Sequence, residues 1–355
     1  MRLNSAVSPL ELWIFKYYRF VHGARIALAF VMMLAITRLL DIPDSTWPLI
    51  TLVVVMGPIS YWGNVFPRAI QRVLGTCIGA ASGMVALYLE TFSTPLLMLW
   101  CAIIMFLCGY LALGKRPYAG LLIGITLAVV LGAHSGEFEQ ALWRSGDVIF
   151  GSAFALLCCS IFPQRAFIHW RLNVSEHLLQ IATLHHTLLS PNVVERPRLQ
   201  ARQKEMLGNI IRNRSLVSPS AAETHLSSSL LSSIQSSMVN CLYTVDKLSD
   251  IYWQDRHHHL ALIQAKSLKI SHQATEKTLY QLSHMLKTGE IEGGEWHFDN
   301  MNEAIEEVKS LLDKSQHDTS LYGYVWLNVQ LIEELAKLRR MIMLALNLTK
   351  SSNFT

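Results

Sequence analysis

Four arginines stand at the edges of long apolar stretches, where an ionisable side chain is costly and faces protein or water rather than lipid. Arg25 opens the first stretch and Arg72 the third; Arg38 closes the first and Arg144 precedes the sixth. A guanidinium stays charged at any physiological pH and grips a carboxylate through two parallel hydrogen bonds. Arg25 and Arg38 read as long side chains that snorkel to headgroups. Arg144 is different. It follows an acidic loop, and Asp147 lies one helical turn further on, so the two are spaced to pair. Such a pair serves equally well as a structural lock, a gate or an anion site.

Other chemistry is not signalled. No nucleophile with a base, no paired catalytic carboxylates and no Cys/His zinc spacing emerge, so an enzyme is not the expectation and no cofactor or metal is implied. His257, His258 and His259 form a run that reads as a solvated turn between helices. There is no Gly-rich phosphate loop with Lys-Ser/Thr, hence no ATP motor in this chain. Five of the six cysteines fall inside apolar stretches and Cys241 in a polar helix, which argues against a disulfide framework. The net charge of +4 is modest and dispersed, so nucleic acid is not an expected partner.

The elements that position the arginines are six apolar stretches, Ala24–Leu40, Trp47–Tyr61, Val73–Leu89, Pro95–Leu113, Gly120–Ala133 and Val148–Phe162. A helix crosses a bilayer with roughly 20 residues; the second and fifth stretches are short for this. The loops sort by charge. Arg2, Lys16 and Arg19 precede the first stretch, and Asp41 and Asp44 follow it. Arg68 and Arg72 come next, then Glu90, then Lys115 and Arg116, then Glu137 and Glu139, and last Arg165 and Arg171. Basic and acidic connections alternate throughout, which predicts six spans with both termini in the cytoplasm. Residues 1–22 carry Leu10, Trp13, Ile14, Tyr17 and Tyr18 and read as an amphipathic lead-in at the cytoplasmic interface, not a cleaved signal. Residues 23–163 form the six-helix transmembrane domain.

Within the spans, Gly75, Gly79 and Gly83 recur every four residues and predict close packing on a neighbouring helix. Gly120 and Gly124 do the same in the fifth. In both the third and sixth spans an arginine precedes a glycine by seven residues, Arg72 before Gly79 and Arg144 before Gly151. With three spans per half, that spacing is compatible with inverted repeats. Gly57-Pro58 predicts a break or kink in the second span.

After Phe162 the pattern changes to apolar residues at three- and four-residue spacing among polar ones. It predicts a cytoplasmic α-helical domain over 164–355, with helices near Ala166–Leu189, Arg198–Ser215, His225–Trp253, Leu260–Thr288, Asp299–Lys314 and Tyr322–Leu348. Pro191, Pro197, Pro219 and Gly293-Gly294 mark breaks. The Ser-rich stretch Ser215–Ser237 is expected to begin as a loop and end as a helix. The fold class is all-α: a polytopic membrane protein with six transmembrane helices followed by a cytoplasmic helical domain.

Trp47-Pro48-Leu49-Ile50-Thr51, then Gly63-Asn64, Arg68 and Arg72-Val-Leu-Gly75-Thr76-x-x-Gly79, resemble the signature of the fusaric acid resistance (FUSC) family. Arg144-x-x-Asp147-x-x-x-Gly151 and Pro163-Gln-Arg165 fit its sixth-span pattern, and the resemblance runs over essentially the whole chain. It implies an inner-membrane exporter of aromatic or other organic acids driven by the proton gradient, with Arg72, Arg144 and Asp147 as substrate-binding residues. The layout is also similar to plant aluminium-activated malate transporters, which are dimeric anion channels. Several family exporters carry two copies of the unit and this chain has one, so a homodimer is expected. The implied partners are small organic anions and the lipid bilayer. A passive anion channel, or a membrane-anchored scaffold whose helical domain binds a partner, are the alternatives.

Overall fold

The computed structural model describes residues 3, 5–41, 46–57, 61–114, 117–132, 138–161, 164–190, 192–193, 195–254, 262, 266–291, 306, 310 and 319–348. Among them the chain is helical, with one isolated bridge between Tyr61 and Gln164. It divides into two compact units: Ile14–Arg165, and Ala166–Thr355 together with Met1–Trp13.

The first unit holds α2 (Tyr18–Leu39), α3 (Thr46–Met56), α4 (Trp62–Glu90), α5 (Thr94–Ala112), α6 (Pro117–Gly132) and α7 (Phe138–Ile161). Three helices, Tyr18–Leu39, Gly63–Glu90 and Thr94–Ala112, are long and apolar enough to cross a membrane; Thr46–Met56, Pro117–Gly132 and Gly146–Ile161 are apolar but shorter. Several helices outrun the apolar stretches read from sequence. Helical hydrogen bonding continues through polar flanks such as Arg68 to Arg72, which a hydropathy pattern cannot see.

Helix direction follows from the contacts. Gly75, Gly79 and Gly83 of α4 face Leu122, Thr126 and Val130 of α6 in the same order, so α4 and α6 run parallel. Gly120 of α6 lies against the Cys108 carbonyl and Gly124 against Met105, so α5 and α6 are antiparallel. One core cluster joins Val65 and Ala69, early in α4, with Ala155, Cys158 and Cys159, late in α7. Those two helices are therefore antiparallel. The same cluster takes Ala29 and Met33 of α2 and Leu52, Val55 and Met56 of α3.

The glycine stripe is needed for this geometry. A Cβ at Gly79 would lie 2.6 Å from the Thr126 Cβ and 2.8 Å from the Ile123 carbonyl oxygen, and one at Gly83 would lie 2.6 Å from Val130 Cγ1. Only hydrogen at those positions lets the backbones approach.

The division falls within α1 (Pro9–Lys16), whose first residues, up to Trp13, belong to the second unit and open with a capping box. Ser8 Oγ accepts from the Glu11 amide at 3.2 Å, and Glu11 Oε2 accepts from the Ser8 amide at 2.8 Å. The helix stops before Tyr17. The centre of the unit is α8 (Ala166–Leu188), buried on nearly every side. Around it pack α9 (Gln200–Arg212), α10 (Val217–Thr224), α11 (Ser228–Tyr252) and α12 (Lys266–Thr288); α13 (Thr319–Ala345) packs on α11 and α12. Of the helix expected over Asp299–Lys314 only Glu306 and Ser310 are among the described residues, both helical, and the run His257–His259 lies outside them.

The Ser-rich stretch corrects the sequence expectation. It starts not as a loop but as a 3-10 turn, Asn213–Leu216, running straight into α10. Pro219 falls in the first turn of that helix, where a missing N–H loses no hydrogen bond. The break comes later, at His225, whose φ of 59° is left-handed, and Ser227 then caps α11 by accepting from the Ser229 amide.

The unit ties its N-terminal segment down with one buried guanidinium. Arg171, 1% exposed, donates Nε to the Leu286 carbonyl at 2.9 Å and Nη1 to the carbonyls of Leu3 and Ser5, both at 3.1 Å. Val7 N–H donates to the Lys287 carbonyl at 3.0 Å. Burial lowers the Arg171 pKa to about 10. It nevertheless remains protonated at neutral pH.

Candidate functional site: the interior of the membrane unit

Residues 18, 22, 25, 29, 33 and 37 share one face of α2 by their three- and four-residue steps, and Ala29, Met33 and Thr37 on that face are buried. Its N-terminal part is polar. His22 Nε2 donates to the Gly57 carbonyl at 3.1 Å, where α3 ends and Gly57 turns with φ +53°. Arg25 Nη2 donates to Gln164 Oε1 at 3.3 Å. The Tyr18 ring stacks on both His22 and Tyr61, with centroids 6.0 and 5.7 Å away. A Cβ at Gly57 would sit 2.6 Å from Arg68 Nη1. The start of α2, the end of α3, the start of α4 and Gln164, three residues beyond α7, thus meet in one polar cluster.

Arg25 corrects the sequence reading. It is half-buried and held by Gln164 rather than extended to a headgroup, while Arg38 at the other end of α2 is exposed. The cluster could have been found from the 18/22/25 spacing together with the glycine before Pro58. Residue by residue, neither signal is distinctive.

Of the residues singled out for anion binding, Arg72 is buried on α4, 6% exposed, beside the Tyr118 hydroxyl of α6. Asp147 on α7 is also buried, 4% exposed. Arg144 occupies the α7 backbone one turn before it, and its side chain lies outside the described residues. Three further buried hydroxyls were given no role in the sequence reading: Thr51 on α3 and Thr76 on α4, both within the family signature, and Ser152 on α7. Their oxygens have no hydrogen-bond partner among the described residues. The three helices pack on one another.

Long apolar helices that bury Arg72 and Asp147 define, among the described residues, an all-helical membrane protein. The chain belongs to the Fusaric acid resistance protein family, whose model matches residues 19–342. It is 44% identical over 351 residues to the inner membrane protein YeeA of Escherichia coli (strain K12), covering 98% of this chain and 99% of that one. It is also 30% identical over 213 residues to the uncharacterized protein slr1298 of Synechocystis sp., a match covering 56% of this chain and 28% of that longer protein.

Proposed function

We propose that this chain is an inner-membrane transporter that exports aromatic or other organic acids. In this reading it crosses the membrane six times with both termini inside, works as a homodimer and carries residues 164–355 as a cytoplasmic helical domain. Arg72 is the observation that carries the proposal. A guanidinium 6% exposed, inside a helix long enough to span the bilayer, has no use in anchoring to headgroups. It suits a carboxylate, and the Tyr118 hydroxyl beside it offers a neutral partner for the same anion. The alternating helix directions and loop charges support the topology. The family's description and the name of the Escherichia coli relative support the activity class and the inner membrane.

Arg72 and Arg144 attract the acid, and Asp147 either holds Arg144 or exchanges a proton with the medium. Uptake of radiolabelled benzoate into proteoliposomes, with and without a pH gradient, tests the function. Gradient-driven uptake is the expected result. Flux indifferent to the gradient identifies a channel, and no flux identifies a scaffold. Arg72→Gln and Arg144→Gln should each abolish uptake at normal expression, while Arg144→Lys keeps the charge without the two-point grip and retains part. Exchanging Arg144→Asp with Asp147→Arg separates a lock, which tolerates the swap, from an oriented anion site, which does not. Cysteines at Asp44, Glu90 and Glu137 should label from outside, and one at Lys115 should not.

A further inference from the structure

The two halves of the membrane unit share a short sequence match and a matching set of helix contacts. Ile-Thr-Leu-Val-Val-Val-Met-Gly over 50–57, in α3, and Ile-Thr-Leu-Ala-Val-Val-Leu-Gly over 125–132, in α6, agree at six of eight positions. This match stands beside the Arg72/Gly79 and Arg144/Gly151 spacing and makes α3 the mate of α6, and α4 the mate of α7.

The packing repeats with the sequence. A Cβ at Gly79 would lie 2.8 Å from the Ile123 carbonyl oxygen and 2.6 Å from the Thr126 Cβ; a Cβ at Gly151 would lie 2.7 Å from the Pro48 carbonyl oxygen and 3.0 Å from the Thr51 Cβ. Ile123 and Thr126 are the mates of Pro48 and Thr51. Each half therefore presses a glycine of its third helix onto the same two positions of the other half's second helix. The first helices follow suit, since α2 packs on α3 and α7 while α5 packs on α6 and α4. The mates α4 and α7 are antiparallel, so the halves are inverted.

The axis relating them can be placed. Val65 and Ala69 share a cluster with Ala155 and Cys159. Seven residues along α4 from Ala69 is Thr76, and seven residues back along α7 from Ala155 is Val148. These two are themselves mates, so pairing Ala69 with Ala155 within that cluster puts the antiparallel helices level where the repeat maps one onto the other. Thr76 is buried there with no hydrogen-bond partner for its hydroxyl among the described residues. Arg72 lies one turn to one side along α4 and Arg144 one turn to the other along α7.

We infer that the membrane unit is an alternating-access carrier built from two inverted repeats, α2–α4 and α5–α7, rather than an open channel, and that its solute passes the pseudo-axis at Thr76. The inference rests on the transport reading and supplies its mechanism. Inverted halves have two equivalent arrangements, in which the roles of the halves are exchanged and access switches from one end to the other. The Tyr18–His22–Gly57–Tyr61 cluster, with Arg25 and Gln164, seals the end where the chain enters and leaves the unit. Gly132 is the mate of Gly57, so the matching seal belongs at the opposite end. A channel has no need of the exchange.

The test uses the full chain with its six cysteines replaced and Thr76→Cys as a reporter for an impermeant maleimide; Ser152→Cys serves where Thr76→Cys fails to fold. Tyr18→His with Tyr61→His allows Zn2+ to clamp the seal, reversibly with EDTA. The reporter should react from both sides without Zn2+. With Zn2+, reaction from the side of the termini should stop, while reaction from the opposite side rises roughly tenfold as the population shifts. Benzoate counterflow in proteoliposomes should appear and be Zn2+-sensitive. A reporter silent from both sides, or a clamp that leaves opposite-side reactivity unchanged, overturns the inference. Benzoate flux without counterflow overturns it too, but leaves acid transport standing. Side-switching of the reporter with no benzoate flux upholds the carrier and removes the acid assignment.

Discussion

The two units handle apolar residues in opposite ways. In the membrane unit Leu74, Ile78, Val85, Met98, Leu99, Phe106 and Leu107 face outward, while Arg72, Thr76, Asp147 and Ser152 are buried. In the helical domain Phe167, Trp170, Leu178, Leu279 and Leu335 are buried, and a charge such as Lys247 lies outside. A shell of lipid makes outward leucines costless and removes hydrophobic burial as the force that joins helices. The first unit is therefore held by close backbone approach, the second by apolar area withdrawn from water.

The sharpest way to break that comparison is to add a side chain to each kind of contact. Gly79→Leu places a branched side chain where even a Cβ would be 2.6 Å from Thr126 Cβ and 2.8 Å from a backbone oxygen. Backbone cannot yield as a flexible side chain does, so we expect no folded, monodisperse protein in detergent. Gly109→Leu, on the same kind of apolar helix but with no described atom within 4 Å of a Cβ, should purify normally. Equal behaviour of the two variants would show that close approach does not hold this unit.

A smaller effect is expected from Arg171→Met in the helical domain. The variant keeps the apolar stem and removes three hydrogen bonds from a charged donor to the carbonyls of Leu3, Ser5 and Leu286. The loss should be on the order of 2–4 kcal/mol. Residues 1–13 should become open to protease while α8 to α13 stay folded. Unchanged protection of that segment would mean that Val7, bonded to Lys287, is enough to hold it.

How far the sequence revealed these arrangements differed between the units. The helical domain was legible because burial against water imposes a three- and four-residue apolar rhythm, and α8 and α11 ended within a few residues of expectation. Its one clear miss, α10, came from reading Pro219 as a break when a first turn accepts it. In the membrane unit the glycine spacing of α4 was plain, but its partner was not, because an apolar sequence has no rhythm that identifies the facing helix. The buried hydroxyls of Thr51, Thr76 and Ser152 were invisible for a related reason: Thr and Ser in a span usually bond to their own helix, so their type alone says nothing. The polar cluster around His22 requires α2, α3, α4 and the end of α7 to meet, which no single segment encodes.

Acidification separates the units more gently. Burial lowers His169 and His177 to about 4, and burial with the charge of His185 lowers His272 to about 3, from an ordinary 6.5. Each folded-state value lies below the unfolded one, so between pH 6.5 and about 4 the unfolded chain takes up protons that the folded domain refuses. Stability is intact above pH 6.5 and declines as the pH falls through that window, by up to about 1.4 kcal/mol per pH unit for each histidine. Glu276 continues the trend at lower pH, below its ordinary value of 4.5. Burial pushes its carboxyl up, but His185 and His186 outweigh that and hold it below its usual value. Thermal melts of the full chain at pH 7 and pH 5 should show the helical domain unfolding earlier at the lower pH. His177→Asn should reduce the difference, and a melting temperature independent of pH would mean that these imidazoles are protonated in the folded state.

The smallest expected effect comes from Arg196, which bonds Asp250 at 2.6 Å on the surface of the helical domain with both side chains about two-fifths exposed. Lys247 also reaches Asp250, at 3.2 Å. Burial raises the Asp250 carboxyl, and the hydrogen bonds and charges of Arg196 and Lys247 together outweigh it and carry the group below its ordinary value. Water competes for all three groups, and Lys247 remains if Arg196 is lost, so Arg196→Ala should cost no more than about 1 kcal/mol and less at high salt. A larger loss, insensitive to salt, would show that Arg196 acts through its apolar stem rather than its charge. The helical domain would then depend on surface packing in a way that its buried face around α8 does not suggest.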